Sequence, residues 1–263
     1  MRPDAFYRSQ TALVTGASGG IGADVARLLG AHGARVLLVA RDAERLEAVA
    51  AEVRQRGGAA AVFAADLEPP GAAGALAERL DEAGEAADVL VNNAGFGVQG
   101  PFLDAGAGEA AGMVAVNAAA PTVLARRLLP GMVARGRGGV LTVASIAAFT
   151  PAPRFAVYAA TKAYALSFSE ALWAELRGTG VHATCLCPGP VRTGFGARAG
   201  MADRFFAGAL SSERVARAGL DGLAAGRRRV VPGVASKAQA AATRFVPPGL
   251  LLRAAGAIVR RAE

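Results

Sequence analysis

Cysteine is nearly absent: only Cys185 and Cys187 occur in 263 residues. That excludes a scaffold stapled by disulfides. Lysine is as scarce, with Lys162 and Lys237 alone; every other basic side chain is arginine. Aromatics make up 6% and histidine occurs twice. A nucleic-acid surface of basic residues interleaved with aromatics is therefore not expected. Nor is a metal site, because His32 and His182 have no ligand partners nearby in sequence and read as structural or surface residues. No apolar run reaches the roughly 20 residues of a membrane span. The opening stretch, Met1 to Arg8, has no apolar signal-peptide core. A soluble cytoplasmic protein is the expectation.

What is abundant is apolar: 53% of residues, with a mean hydropathy of +0.33. Such a chain buries a core and is not intrinsically disordered. The net charge of +8 is spread along the sequence, apart from Arg227–Arg229 and a tail holding Arg253, Arg260 and Arg261. It suits weak attraction to anionic partners or membrane surfaces better than specific recognition.

Short, nearly continuous apolar runs alternate with helix-length stretches. The runs are Thr11–Thr15, Arg35–Ala40, Ala61–Ala65, Asp88–Val91, Val140–Ala144 and His182–Leu186, with a seventh at Arg229–Val231. Strands covered by helices on both faces look like this. The helical stretches include Asp42–Gln55, Glu109–Arg135 and Ala156–Arg177. The pattern predicts the α/β class: a single doubly wound, Rossmann-type parallel sheet flanked by helices on both faces. We read 1–263 as one domain. A substrate loop is expected at about 190–210 and a helical extension at about 234–263. Cys185 and Cys187, two apart, read as buried small hydrophobes.

The first strand runs directly into Thr15-Gly16-Ala17-Ser18-Gly19-Gly20-Ile21-Gly22 and then a helical pattern. Gly16 permits a tight turn, Gly20 lets the backbone approach a pyrophosphate, and Gly22 lets helix and strand pack closely. Free N–H groups at the helix start, near Ser18 and Ile21, would face the phosphates. At the end of the second strand an acidic residue would bind the ribose hydroxyls of NAD. Here the order is Ala40, Arg41, Asp42. Arg41 can reach a 2′-phosphate, which favours NADP(H) over NAD(H). Asp42 reads as the N-cap of the next helix.

Tyr158 and Lys162 are four apart in a helical stretch and project from one face. A chain that otherwise uses arginine has lysine here, whose proton can move. A tyrosine with a pKa near 10 is a weak acid or base at neutral pH. An adjacent ammonium and an oxidised nicotinamide would lower it.

The order of these motifs resembles the short-chain dehydrogenase/reductase family over nearly the whole chain. Besides the glycine motif and Tyr158-x-x-x-Lys162, it includes Asn92-Asn93-Ala94-Gly95, Ser145, and Cys187-Pro188-Gly189-Pro190-Val191-Arg192-Thr193. The part from Ser211 to Gly233 is similar to a broad bacterial branch with mostly unassigned substrates. The resemblance implies that Tyr158 exchanges a proton with the substrate oxygen, that Ser145 orients that oxygen, and that Lys162 lowers the tyrosine pKa and grips the nicotinamide ribose. Asn117 would hold a water in the proton relay. Asp66 and Leu67 would contact adenine, and Asn93, Ala94 and Gly95 would line the cofactor. Pro188, Gly189, Val191 and Thr193 would flank the nicotinamide.

By the same analogy Phe96, Val98, Ile146, Ala147, Phe155, Phe195, Phe205 and Phe206 would face the substrate, with Arg154, Arg192 and Arg198 near enough to consider. The implied function is NADP(H)-dependent hydride transfer with a hydrophobic ketone, aldehyde or secondary alcohol. A homodimer or homotetramer would form through the two long helices. The alternatives are a dinucleotide sensor without catalysis and a membrane- or polyanion-associated protein. The tail from Pro248 reads as a final helix that covers the core or makes a subunit contact, with an amphipathic helix on the membrane surface as the alternative.

Overall fold

The computed structural model describes residues 3–202, 206, 208–243, 245–247 and 249–253. The first half alternates strand and helix: α1 (Pro3–Tyr7), β1 (Thr11–Thr15), α2 (Gly20–Ala31), β2 (Arg35–Ala40), α3 (Ala43–Gln55), β3 (Ala59–Ala64), α4 (Ala72–Glu82) and β4 (Val89–Asn92). Then come α5 (Ala107–Val114), α6 (Ala120–Ala134), β5 (Gly138–Val143), α7 (Ala156–Glu175) and β6 (Val181–Leu186). The last part holds β7 (Val191–Arg192), α8 (Phe195–Arg198), β8 (Leu210–Ser211), α9 (Ser212–Ala224), β9 (Arg229–Val230) and α10 (Val234–Ala242).

Seven strands form one parallel sheet in the order β3-β2-β1-β4-β5-β6-β9. The strand runs are continuously apolar because alternate residues feed two cores. Ala12, Val14, Val36, Leu38, Val89 and Val91 pack with α2, α3 and α9 on one face. Leu13, Leu37, Leu90 and Val140 pack with α4, α6 and α7 on the other. Period-2 alternation therefore survives, but both phases are hydrophobic. Asp42 caps α3 as expected, its carboxylate accepting from the Arg45 N–H at 3.0 Å.

Three expectations need correction. The stretch Glu109–Arg135 is not one α-helix: α5 and α6 are separated by a π-helical turn at Ala115–Ala119. The region about 190–210 is not all loop, since it holds α8 and the small β7–β8 parallel pair. Cys187 lies just past the end of β6, yet its sulfur still meets that of Cys185 at 3.6 Å, both fully buried. Of the expected extension, α10 is helical, residues 249–253 are helical again, and 254–263 lie outside the described residues.

The base of the sheet is tied by one buried carboxylate. Asp88 accepts from Arg135 Nε at 2.9 Å, Arg137 Nη2 at 3.4 Å and the Thr11 N–H at 3.3 Å. It thus joins the start of β1 to the approach to β5. Asp88→Ala is expected to cost about 2 kcal/mol in a urea melt, since both arginines are partly solvated. An unchanged midpoint would contradict this.

Candidate active site

The chain passes from β3 to the far side of β1 to form β4, so the carboxyl ends of β1 and β4 part. Crevices for ligands form at such a switch point. Here the cavity is about 940 Å³. At one end lies the glycine turn. Gly16 has φ +66°, and a Cβ there would stand 2.8 Å from Asn93 Nδ2 and 2.9 Å from Ala94 Cα. A Cβ on Gly22 would meet the Gly16 carbonyl at 2.3 Å, so helix and turn touch directly. Below them Thr15 Oγ1 accepts the Asn93 and Ala94 N–H groups, each at 3.0 Å. Asn93 Nδ2 donates back to the Thr15 and Gly16 carbonyls at 2.9 and 3.1 Å.

α2 starts at this turn with Gly19 as its N-cap and no side-chain cap, unlike α3 and α9. Its first N–H groups are left for an anion. Ser18 and Ile21 line the cavity beside them. Arg41 and Asp66 line the same end. Asp66 accepts the Glu68 N–H at 3.1 Å. This donor set, a glycine cradle with an uncapped helix start and arginine beside it, fits a phosphorylated dinucleotide.

The other end holds Ser145, Tyr158 and Lys162. Ser145 follows β5 and accepts the Ala147 N–H at 3.1 Å, capping a 3-10 turn at Ile146–Phe149. Tyr158 stands in the first turn of α7 with Lys162 one turn on; both face inward. Lys162 Nζ donates to the Val143 carbonyl at 2.9 Å and lies 5.8 Å from the Tyr158 ring centroid. Burial pushes the Tyr158 phenol up to about 12, opposed by the Ser145 hydroxyl. Burial lowers Lys162 to about 8, opposed by the Cys185 and Cys187 thiols. Within the protein alone, burial is the larger influence on the Tyr158 phenol. The Lys162 ammonium donates to the Val143 carbonyl and lies beside Gly95.

Asn117 sits in the π-helical turn. Its Nδ2 donates to the Phe96 carbonyl at 2.9 Å and to Thr161 Oγ1 at 3.0 Å, and its Oδ1 accepts the Phe96 N–H at 3.0 Å. The extra residue of that turn brings the side chain between the β4 loop and α7.

A family model for short chain dehydrogenase matches residues 10–203. The chain belongs to the short-chain dehydrogenase/reductase family. It is similar to a short chain dehydrogenase of Pseudocercospora fijiensis, 37% identical over 204 residues, covering 74% of this chain and 65% of that protein. It is also similar to the oxidoreductase EphD of Mycobacterium tuberculosis, 35% identical over 200 residues, covering 76% of this chain and 34% of that protein. This chain thus spans less than two thirds of either relative. Among solved structures, a short-chain dehydrogenase from Sphingobium yanoikuyae in complex with NADPH superposes with a TM-score of 0.82. It is 32% identical, over 92% of this chain and 94% of that one.

In this short-chain dehydrogenase/reductase, all the site residues read from sequence line the cavity except Gly22 and Asn117, which support it from behind. Leu67, Pro188, Gly189, Val191 and Thr193 are among its walls. Phe96, Ile146, Ala147, Phe155, Phe195 and Phe206 line it as expected. Val98 packs instead against Phe96 and Met113. Phe205 lies outside the described residues. Arg198 lines the cavity; Arg154 and Arg192 do not. Sequence reasoning missed Arg45, Glu68 and Gln239, which also line it. Arg45 is four residues from Arg41 across the first turn of α3, a spacing that could have flagged it. Asn117→Ala strands the Phe96 N–H and carbonyl, and is expected to cost about 2–3 kcal/mol in a denaturant melt. A cost below a few tenths would sink the clamp.

Proposed function

We propose that the enzyme transfers a hydride between NADP(H) and a hydrophobic ketone or aldehyde, or the matching secondary alcohol. One observation carries this. A single cavity joins the glycine turn and Arg41 to Ser145, Tyr158 and Lys162, and its reactive end is walled by Phe96, Ile146, Phe155, Phe195 and Phe206. The rings of Phe155 and Phe195 lie 5.9 and 5.4 Å from that of Tyr158. An apolar substrate would be desolvated there. The NADPH complex of the Sphingobium relative supports the cofactor. Gly16, Gly20 and the start of α2 would hold its pyrophosphate, Arg41 its 2′-phosphate, Asp66 and Leu67 its adenine, and Pro188 to Thr193 its nicotinamide. When bound, NADP(H) supplies or takes the hydride.

The chain's own residues handle the proton. Ser145 Oγ already accepts from Ala147, so its O–H would hold the substrate oxygen. Tyr158, with its pKa raised, keeps its proton at neutral pH and would deliver it to the oxygen as negative charge develops there. Lys162, near 8, is charged at pH 7 and can resupply the proton. Asn117 would position Phe96 and α7, and would hold the relay water only through the remaining acceptor capacity of its Oδ1. Exposed Val114, Val123 and Tyr164 on α5, α6 and α7 support a homo-oligomer built on those helices. The free, buried Cys185 and Cys187 agree with a cytoplasmic setting.

Tyr158→Phe is expected to lower turnover about 10²–10⁴-fold while NADPH binding stays within twofold. NADPH binding with equal turnover in the variant would refute its role. In reduction, wild-type kcat/KM is expected to fall as pH rises through about 8, where Lys162 loses its proton. Lys162→Arg stays charged and should be slower but lack that decline. A decline that persists in the variant would assign it elsewhere.

A further inference from the structure

Among the described residues, the large apolar side chains left exposed gather in two places. Val114, Val123, Val133 and Tyr164 lie on α5, α6 and α7. Phe102, Leu103, Val234, Phe245, Leu250 and Leu252 lie on two other segments, one after β4 and one from α10 onward. Leu103 is 94% exposed, and Val234 and Phe245 are each 85% exposed. Single apolar side chains on a surface need no explanation, but a gathering of them marks a face that meets a protein or a membrane.

Both segments flank the cavity. Just before Phe102 the Gln99 N–H donates to the Ala199 carbonyl at 3.0 Å and the Gly100 N–H to the Arg154 carbonyl at 2.9 Å. These bonds hold the first segment against the end of α8 and the approach to α7. Val234 opens α10, which lies on the loop after β6: a Cβ on Gly189 would stand 2.3 Å from Ser236 Oγ. Gly189 and Gln239 both line the cavity. The two loops leave the carboxyl ends of β4 and β6, the parallel neighbours of β5, so they stand at the same end of the sheet. No residue of α10 is buried, so this helix does not cover the core.

The charge of the second segment has one sign. From Val231 to Arg261 the chain carries Lys237, Arg244, Arg253, Arg260 and Arg261 and no acidic residue. On the first segment Asp104, next to Leu103, is acidic. A stretch so basic repels a second copy laid against it and attracts anionic lipid. No helix among the described residues is long and apolar enough to cross a membrane, so the contact is with its surface. We propose that this rim docks on the surface of a bilayer that holds anionic lipid. Phe102, Leu103, Val234 and Phe245 enter the headgroup layer, and Lys237 and Arg253 meet lipid phosphate. The cavity then opens beside lipid, from which an apolar substrate could be drawn. That consequence rests on the substrate reading above; the docking itself does not.

The test is co-sedimentation of the full chain, without cofactor or substrate, with two kinds of vesicle: phosphatidylcholine alone, and phosphatidylcholine with about one-third phosphatidylglycerol. The mixed vesicles should bind about tenfold more tightly at low salt, and the difference should shrink as salt rises. Leu103→Ser combined with Phe245→Ser should weaken binding to mixed vesicles about tenfold. Both side chains are exposed, so the melting temperature and the subunit count by light scattering should not change. Lys237→Glu combined with Arg253→Glu should remove the preference for mixed vesicles. No binding of wild type to mixed vesicles overturns the proposal. So does undiminished binding by the double serine variant, which would leave only a diffuse attraction of the +8 chain. A lower subunit count in that variant would make the rim a contact between copies and overturns it too. If the vesicles bind as expected but no apolar ketone carried in them is reduced, the substrate reading fails and the docking stands.

Discussion

Where β1 and β4 part, two loops leave the sheet in opposite directions and must still be held edge to edge. Thr15 and Asn93 do this with four hydrogen bonds of 2.9 to 3.1 Å. The approach is close enough that Gly16 can carry no side chain. Everything at the site is referred to this junction. The glycine turn and α2 are set on one side of it. On the other, the β4 loop runs through Gly95 and Phe96 to Asn117, and from Asn117 to Thr161 on α7. The first amides of α2 and the Tyr158 side chain are thereby fixed against each other through backbone groups and buried amides, not through mobile surface chains.

Burial around Tyr158 and Lys162 acts on both titratable groups in the same sense. It favours the neutral phenol of Tyr158, near 12, and the neutral amine of Lys162, near 8. In the proposed reaction the tyrosine would keep its proton until an oxygen acquires negative charge beside it, and the lysine, close to ambient pH, would exchange one. Gly95 and Gly97 keep this arrangement possible: a Cβ on the first would crowd Asn117 Oδ1 at 2.9 Å, and on the second Tyr158 at 2.9 Å.

The sheet was legible because its strands are short apolar runs and its turns carry glycine in a fixed context. Ser145, Tyr158 and Lys162 were legible because lysine and tyrosine are so rare here that their spacing stands out. The π-helical turn was not, since one extra residue in a helix hardly alters an apolar pattern dominated by alanine. Arg45 is hard to read from sequence because an arginine in an exposed first turn looks like any solvated charge; the fold brings it to the cavity wall. Sequence reports the charge next to Tyr158 and not the burial around its phenol.

The most direct measurement follows the hydride itself. The enzyme would be incubated with a bulky apolar ketone and NADPH carrying deuterium at C4, each face labelled in turn, and the alcohol examined by mass spectrometry. The account predicts one deuterium on the carbinol carbon from one of the two labelled cofactors and none from the other. Bound NADPH with no labelled alcohol across a range of apolar ketones and aldehydes would contradict it.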